Sequence, residues 1–255
     1  MGLLEGKHAV VWGVANRRSI AWAIAQALGR EGAKLAFTYQ GERVEKKVRE
    51  LAEQTPGTPL LEADVTDDAQ IDAVYQRLGS DWGKVDVVVH SIACAHAGDL
   101  QGRFLDTSRG GFQTAMDVSA YSLIAITRPA VPLMKDGGSV LAMTYIASGR
   151  VFPSYNVMGV AKAALESTVR YLAADLGPSN IRVNAISAGP ISSLAARGVP
   201  GFTGFAKAHQ ERAPLRRATD PAEIGDTAVF LSSDWGRGIT GEVIFVDEGY
   251  HILGV

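Results

Sequence analysis

The sequence contains a single cysteine, Cys94, among 255 residues. An internal disulfide is therefore excluded, and a reducing compartment is expected. No run of about 18 uninterrupted apolar residues occurs, so no membrane span is expected. The opening MGLLEGKHAVVWG has no basic segment followed by a long apolar one. No signal peptide is read there, and the expected location is cytoplasmic. An excess of one charge is also missing. Lys plus Arg number 25 against 27 Asp plus Glu, for a net charge of −2. That balance leaves no electrostatic footprint for nucleic acid or an anionic membrane. Internal repeats and low-complexity linkers are absent as well.

Several catalytic signatures are missing. Gly6-Lys7 and Gly83-Lys84 are followed by His8 and Val85 rather than Ser or Thr, so there is no P-loop. Neither HExxH nor GxSxG occurs. His8, His90, His209 and His251 show no metal-ligand spacing. Cys94 and His96 are too little supported to read as a nucleophile and its base.

What remains is an ordinary globular composition, 47% hydrophobic and 20% charged. Short, almost wholly apolar runs alternate with longer helical patterns. Strands are predicted at Ala9–Trp12, Lys34–Tyr39, Pro59–Glu62, Val85–His90, Ser139–Thr144, Arg182–Ile186 and Glu242–Val246. Helices are predicted at Ser19–Glu31, Gly41–Gln54, Asp67–Asp81, Gly110–Met134, Asn156–Leu176 and Pro221–Ser232. Strand–helix alternation implies a parallel sheet with right-handed crossovers. The predicted fold class is α/β: one doubly wound (Rossmann) domain over residues 1–255, with a seven-stranded, mostly parallel sheet and helices on both faces. Ligands of such sheets bind beyond the carboxyl ends of the strands, at the switch in strand order.

The residues at those ends carry the candidate chemistry. Gly13-Val-Ala-Asn-Arg-Arg-Ser19 follows a strand and opens a helix, which suits an anion, with Ser19 as cap. It is not GxGxxG. Gln40 ends the second strand where an acidic residue often holds a ribose hydroxyl. With Arg43 the nearest cation, an unphosphorylated cofactor is favoured. Asp64-Val65 can meet an adenine. His90-Ser91-Ile92-Ala93 lets backbone approach closely. Ser187–Ile191 leads into Ser192–Phe205, read as a mobile lid, about 192–210 in all. Tyr145, Tyr155 and Lys162 form the last set. Seven positions are roughly two helical turns, so Tyr155 and Lys162 share a face if the helix begins by Tyr155. A phenol can donate to a developing oxyanion, and an ammonium can grip hydroxyls. The bland alternative is an amphipathic helix with a tyrosine at its rim.

With these pieces placed, the chain resembles the short-chain dehydrogenase/reductase superfamily, and within it the bacterial enoyl-acyl-carrier-protein reductases of fatty-acid synthesis. The similarity runs over nearly the whole chain. Its most specific marks are YNVMGVAK, with six residues between tyrosine and lysine, and a second tyrosine ten residues upstream. GVANRRSIAWAIA, ADV, HSIA, VRYLA, IRVNAISAGPI and GEVIFVDEGY support it. Most superfamily members leave three residues between tyrosine and lysine; Met158 stands there and cannot donate a proton.

The resemblance implies an NADH-dependent reductase of trans-2-enoyl thioesters. It implies NADH contacts at Gly13, Ser19, Ile20, Gln40, Asp64, Val65, Ile92 and Lys162, and at Ile191, Ser192, Ser193, Leu194 and Ala195. It makes Tyr145, Tyr155 and Lys162 catalytic and sets Ala95, Tyr145 and Tyr155 beside substrate. It also implies acyl carrier protein as substrate carrier and a homotetramer. Asp247-Glu248-Gly249 in place of the commoner Asp-Gly-Gly, and Pro200, Thr203 and Gly204 in place of basic lid residues, depart from the pattern. Two other activities stay open at this point: carbonyl or β-ketoacyl reduction, which Met158 opposes, and dinucleotide sensing without catalysis.

Overall fold

Seven apolar segments form one parallel sheet: β1 His8–Trp12, β2 Lys34–Tyr39, β3 Leu60–Glu62, β4 Val87–His90, β5 Gly138–Thr144, β6 Ile181–Ala188 and β7 Val243–Val246. This is a computed structural model, and it describes residues 2–193, 196 and 201–254. The strand order is β3-β2-β1-β4-β5-β6-β7. Every pairing is parallel. The order reverses between β1 and β4, so a crevice opens beyond Trp12 and His90.

The helices are α1 Ile20–Arg30, α2 Glu42–Ala52, α3 Asp68–Trp82, α4 Arg109–Met116, α5 Ser122–Thr127, α6 Val157–Leu176, α7 Phe202–Arg212 and α8 Pro221–Ser232. Alternation along the strands sends side chains to two cores. Val11, Phe37, Val89, Leu141 and Ile186 face α1, α2 and α8. Val10, Trp12, Val88, Val140 and Val183 face α3, α5 and α6. The predicted fold class holds.

Local signals hold too. Ser19 caps α1 by accepting from the Trp22 N–H. Asp67 caps α3 by accepting from Ala69 and Gln70. Gly177 closes α6.

Three expectations are corrected. The helix predicted over Gly110–Met134 is broken. A π-helical turn at Asp117–Tyr121 separates α4 from α5, and α5 ends at Thr127, two residues before Pro129. Proline lacks the N–H that would continue the ladder, and it disfavours helix in the residue before it. The stretch read as an irregular lid holds α7, which begins after Gly201 at φ +77° and is rich in good helix formers. Tyr155 is not on the helix, because α6 begins only at Val157.

Candidate active site

The first turn beyond β1 is built for close approach. Gly13 has φ +95°, and a Cβ there would lie 2.3 Å from the Ser91 carbonyl oxygen. Only glycine fits both constraints. The Ser91 N–H donates to the Trp12 carbonyl at 3.0 Å, which ties the ends of β1 and β4 together. Ser19 donates its hydroxyl proton to Asn16 O at 2.7 Å, which orients its oxygen toward Trp22 N–H. Ile20 opens α1 and packs half-buried on the first core. The amino end of α1, with its unpaired N–H groups, thus faces the crevice.

At the ends of β2 and β3, the Gln40 amide donates to Asp64 Oδ2 at 2.7 Å. The other Asp64 oxygen accepts from the backbone and hydroxyl of Thr66 at 2.9 and 2.8 Å. Burial works against this carboxylate, but these donors hold its pKa below the ordinary value. Gln40 and Asp64 are therefore one unit, a link the sequence did not reveal. Val65 is buried beside them.

Beyond β4, Ile92 and Ala95 are half-buried while Cys94 is exposed. Ser119, in the π-turn, accepts from the Cys94 N–H at 3.0 Å and lies 3.2 Å from the Cys94 carbonyl. It thereby fixes the peptide leading to Ala95. Ala95 and Tyr155 pack against a small third core of Leu100, Ala115, Val157, Met158 and Ala161. Nothing in the sequence marked Ser119 for this part.

The tyrosines meet beyond β5. The rings of Tyr145 and Tyr155 lie 5.1 Å apart. Phe152 is 5.4 Å from Tyr145 and 6.0 Å from Phe205 of α7. The four rings make one aromatic wall, so Phe152 and Phe205 join the site. Tyr155 sits between two non-glycine residues of positive φ, Ser154 at 62° and Asn156 at 39°. Such conformations cost of order 1–3 kcal/mol each and persist where the surroundings enforce them. Here Asn156 Nδ2 donates to Asp99 O at 3.3 Å and Gly102 O at 3.4 Å. Burial raises the pKa of both phenols above the ordinary value, so both keep their protons at neutral pH and act as donors.

Lys162 is 5% exposed, and its ammonium donates to Met143 O at 2.7 Å. Burial lowers its pKa to about 8, with Glu166 opposing the shift. Glu166 is itself held by the Thr144 hydroxyl at 2.6 Å. Met158 is buried, with its sulfur 3.9 Å from Ser119 Oγ.

After β6, Ile191 is buried, Ser192 exposed and Ser193 half-buried. The Gly189 N–H donates to Val246 O at 2.8 Å, which anchors the start of this loop to β7. Leu194 and Ala195, and with them part of the expected lid, lie outside the described residues.

The sequence profile described as "Enoyl-(Acyl carrier protein) reductase" matches residues 13–251. The chain belongs to that family. A relative from Bacillus cereus, named as the NADH enoyl-acyl-carrier-protein reductase FabI, is 55% identical with all of both chains covered. One from Staphylococcus aureus, named as the NADPH form, is 50% identical over 98% of each chain. A crystal structure of the Bacillus cereus enoyl-acyl carrier protein reductase, with NADP+ and indole naphthyridinone, superposes with a TM-score of 0.98 at 54% identity, covering both chains fully. Among the described residues of this enoyl reductase family member, no helix is long and apolar enough to cross a membrane.

Proposed function

We propose that the chain reduces trans-2-enoyl thioesters carried on acyl carrier protein to saturated acyl thioesters, with NADH as cofactor, in cytoplasmic fatty-acid biosynthesis. The observation that carries this reading is the pair of half-buried tyrosines whose rings lie 5.1 Å apart beyond β5. It is supported by the buried Lys162 on the adjoining face and by an apolar Met158 where a carbonyl reductase would hold its proton donor.

The crevice fits a dinucleotide. Gly13 leaves room for a pyrophosphate at the amino end of α1, and Gln40 with Asp64 presents uncharged and acidic groups but no dedicated cation. Ser19, Ile20, Val65, Ile92 and the run from Ile191 to Ala195 would complete the NADH contacts. Bound NADH supplies the hydride that adds to the β-carbon of the enoyl group. Negative charge then gathers on the thioester oxygen, where the Tyr155 phenol donates a hydrogen bond, and the enolate takes a proton from water at its α-carbon to give the saturated thioester. Tyr145 lies against Tyr155 and shapes the pocket with Ala95 and the aromatic wall. Lys162 holds the nicotinamide ribose hydroxyls. Residues 192–210 serve as the lid, with Phe205 brought against Phe152 to exclude water.

A homotetramer is part of this proposal. Two separate apolar faces support it: Phe230, Trp235 and Phe245 beside the edge strand β7, and Tyr121, Val160 and Tyr171 on the side of α5 and α6. Two distinct self-complementary faces generate a dihedral tetramer.

The test is purified protein with NADH and either a trans-2-enoyl or a β-ketoacyl thioester. Loss of NADH absorbance with the enoyl substrate alone is expected. Turnover of the ketone alone, or of neither, would defeat the reading.

Cofactor choice gives a second test. Gln40→Arg is expected to improve NADPH use relative to NADH about tenfold, by one charge-assisted contact to the 2′-phosphate. Asp64, already bonded to position 40, would partly neutralise the new guanidinium, so the preference narrows rather than reverses. Initial rates at subsaturating cofactor measure this. An unchanged ratio would mean that the 2′-position lies elsewhere.

A further inference from the structure

A fully buried histidine, His90 at the end of β4, has no part in the chemistry above. Strand register fixes where it points. His90 shares a face with Val88, and its register partners are Trp12 and Ala142. All three belong to the core under α6. From α6, Lys162 reaches the carbonyl of Met143, one residue beyond Ala142 on the neighbouring strand. Adjacent strands lie about 4.8 Å apart, so the imidazole and the carbonyl that Lys162 grips stand on neighbouring strands, with no direct hydrogen bond between ring and ammonium. Burial, and after it the charge of Lys162, lowers the His90 pKa to about 3, so the ring is neutral.

The two ring nitrogens then have different tasks. Ser122 donates its only hydroxyl proton to Val118 O at 2.7 Å. His90 Nε2 lies 2.7 Å from the same hydroxyl oxygen. Ser122 can only accept there, so Nε2 carries the hydrogen and Nδ1 is a bare acceptor. The Ser122 N–H turns back to Ala120 O and Asp117 O, while its hydroxyl takes Val118 O. Among the described residues, Nδ1 has no partner. A buried acceptor left that way is destabilising. With Nε2 directed at α5, Nδ1 is the nitrogen closer to the strand backbone, where the ammonium sits. The ammonium has three donors, and Met143 takes one.

We propose that His90 is a positioning residue for Lys162: its Nδ1 accepts a hydrogen bond relayed from the ammonium through one water molecule, and so holds the lysine charged and aimed into the cleft. This rests on the reading that Lys162 grips the cofactor. The other titratable groups around the pair are Glu166 one turn along α6, Tyr145 and Tyr155 on the segments before it, and Tyr75 of α3, which accepts from the Trp12 indole at 3.2 Å. Burial raises the pKa of all three phenols. An acceptor stabilises the charged lysine, so losing it lowers the pKa and moves the alkaline limb of activity to lower pH.

Asparagine and glutamine separate positioning from packing. Asn at position 90 places its amide where Nδ1 was, and Gln places it where Nε2 was. In the full chain assayed with NADH and a trans-2-enoyl coenzyme A thioester, His90→Asn should keep the wild-type alkaline limb, and His90→Gln should shift it down by about 1 pH unit, the scale of one bond to a charged group. Equal limbs in the two variants, or a shift in Asn alone, would overturn the proposal.

A second measurement needs neither a variant of His90 nor turnover. In 15N-histidine-labelled wild type with NADH, the His90 ring should show the Nε2–H tautomer throughout. Its Nδ1 resonance should move with the Lys162 titration, and that movement should vanish in Lys162→Met. An Nδ1–H tautomer, or an Nδ1 signal indifferent to that titration, would overturn it as well. A wild type without enoyl reductase activity would defeat the functional reading but leave this measurement decisive for the histidine.

Discussion

Tyr155→Phe is expected to lower the turnover number on trans-2-enoyl thioesters about 10²–10³-fold, roughly 2.7–4 kcal/mol, with little change in NADH affinity. Hydride adds to carbon, and the protein must stabilise an oxygen two bonds beyond the attacked atom. The Tyr155 phenol is the donor placed for that oxygen. Burial keeps it protonated, so it donates and does not serve as a base. Phenylalanine keeps the ring that packs on Tyr145 and leaves Asn156 to hold the strained turn, so the loss falls on the donor. Initial rates, NADH fluorescence titration and a thermal melt separate the three quantities. Near-wild-type turnover would sink the assignment and make Tyr145 the next donor to test. A parallel loss of thermal stability would instead point to the turn.

The sheet was legible because strands covered on both faces are apolar almost throughout and are separated by amphipathic helices. The strand ends therefore located the crevice from Gly13, Gln40, Asp64, His90 and Tyr145 alone. Contacts between distant segments were harder to read. Gln40 with Asp64 and Ser119 with Cys94 are set by tertiary placement, and neither pair has a spacing to betray it. The π-turn was hidden because α4 and α5 keep a helical pattern across it, although Pro129 did mark where that pattern had to end. α7 was missed for a different reason. Gly201 and Gly204 read as loop, yet Gly201 is the left-handed start of a helix and not its interruption. Tyr155 shows the limit of periodicity most clearly. Its alignment with Lys162 assumed helical geometry at a position that the structure gives to a strained turn, and strain of that kind follows from the surroundings rather than from local propensity.

Lys162→Met should separate function from stability. Methionine matches the lysine stem in length and removes the charge. It should weaken NADH binding and lower kcat/KM together, about 10²-fold, the scale of one or two bonds from a charged donor. Stability should not fall in step. The folded pKa of Lys162 is about 8 against an ordinary lysine value of 10.5, a difference of about 3 kcal/mol at roughly 1.36 per unit. Because the folded value is the lower one, the unfolded chain binds more protons between these two limits. The penalty is full below about pH 8 and declines as pH rises toward about 10.5, so this group makes stability increase with pH across that window. Methionine removes the penalty but leaves Met143 O without its donor, which costs about 1–3 kcal/mol. The two nearly cancel, so at pH 7 the variant should be as stable as wild type or up to about 2 kcal/mol more stable. Above pH 8 the wild type should gain on it. Denaturant titrations of both proteins, taken from neutral pH to the alkaline limit of reversibility, measure that difference. A variant several kcal/mol less stable at pH 7 would show that Lys162 holds the fold together. A difference that does not change with pH would show that its charge is not suppressed by burial.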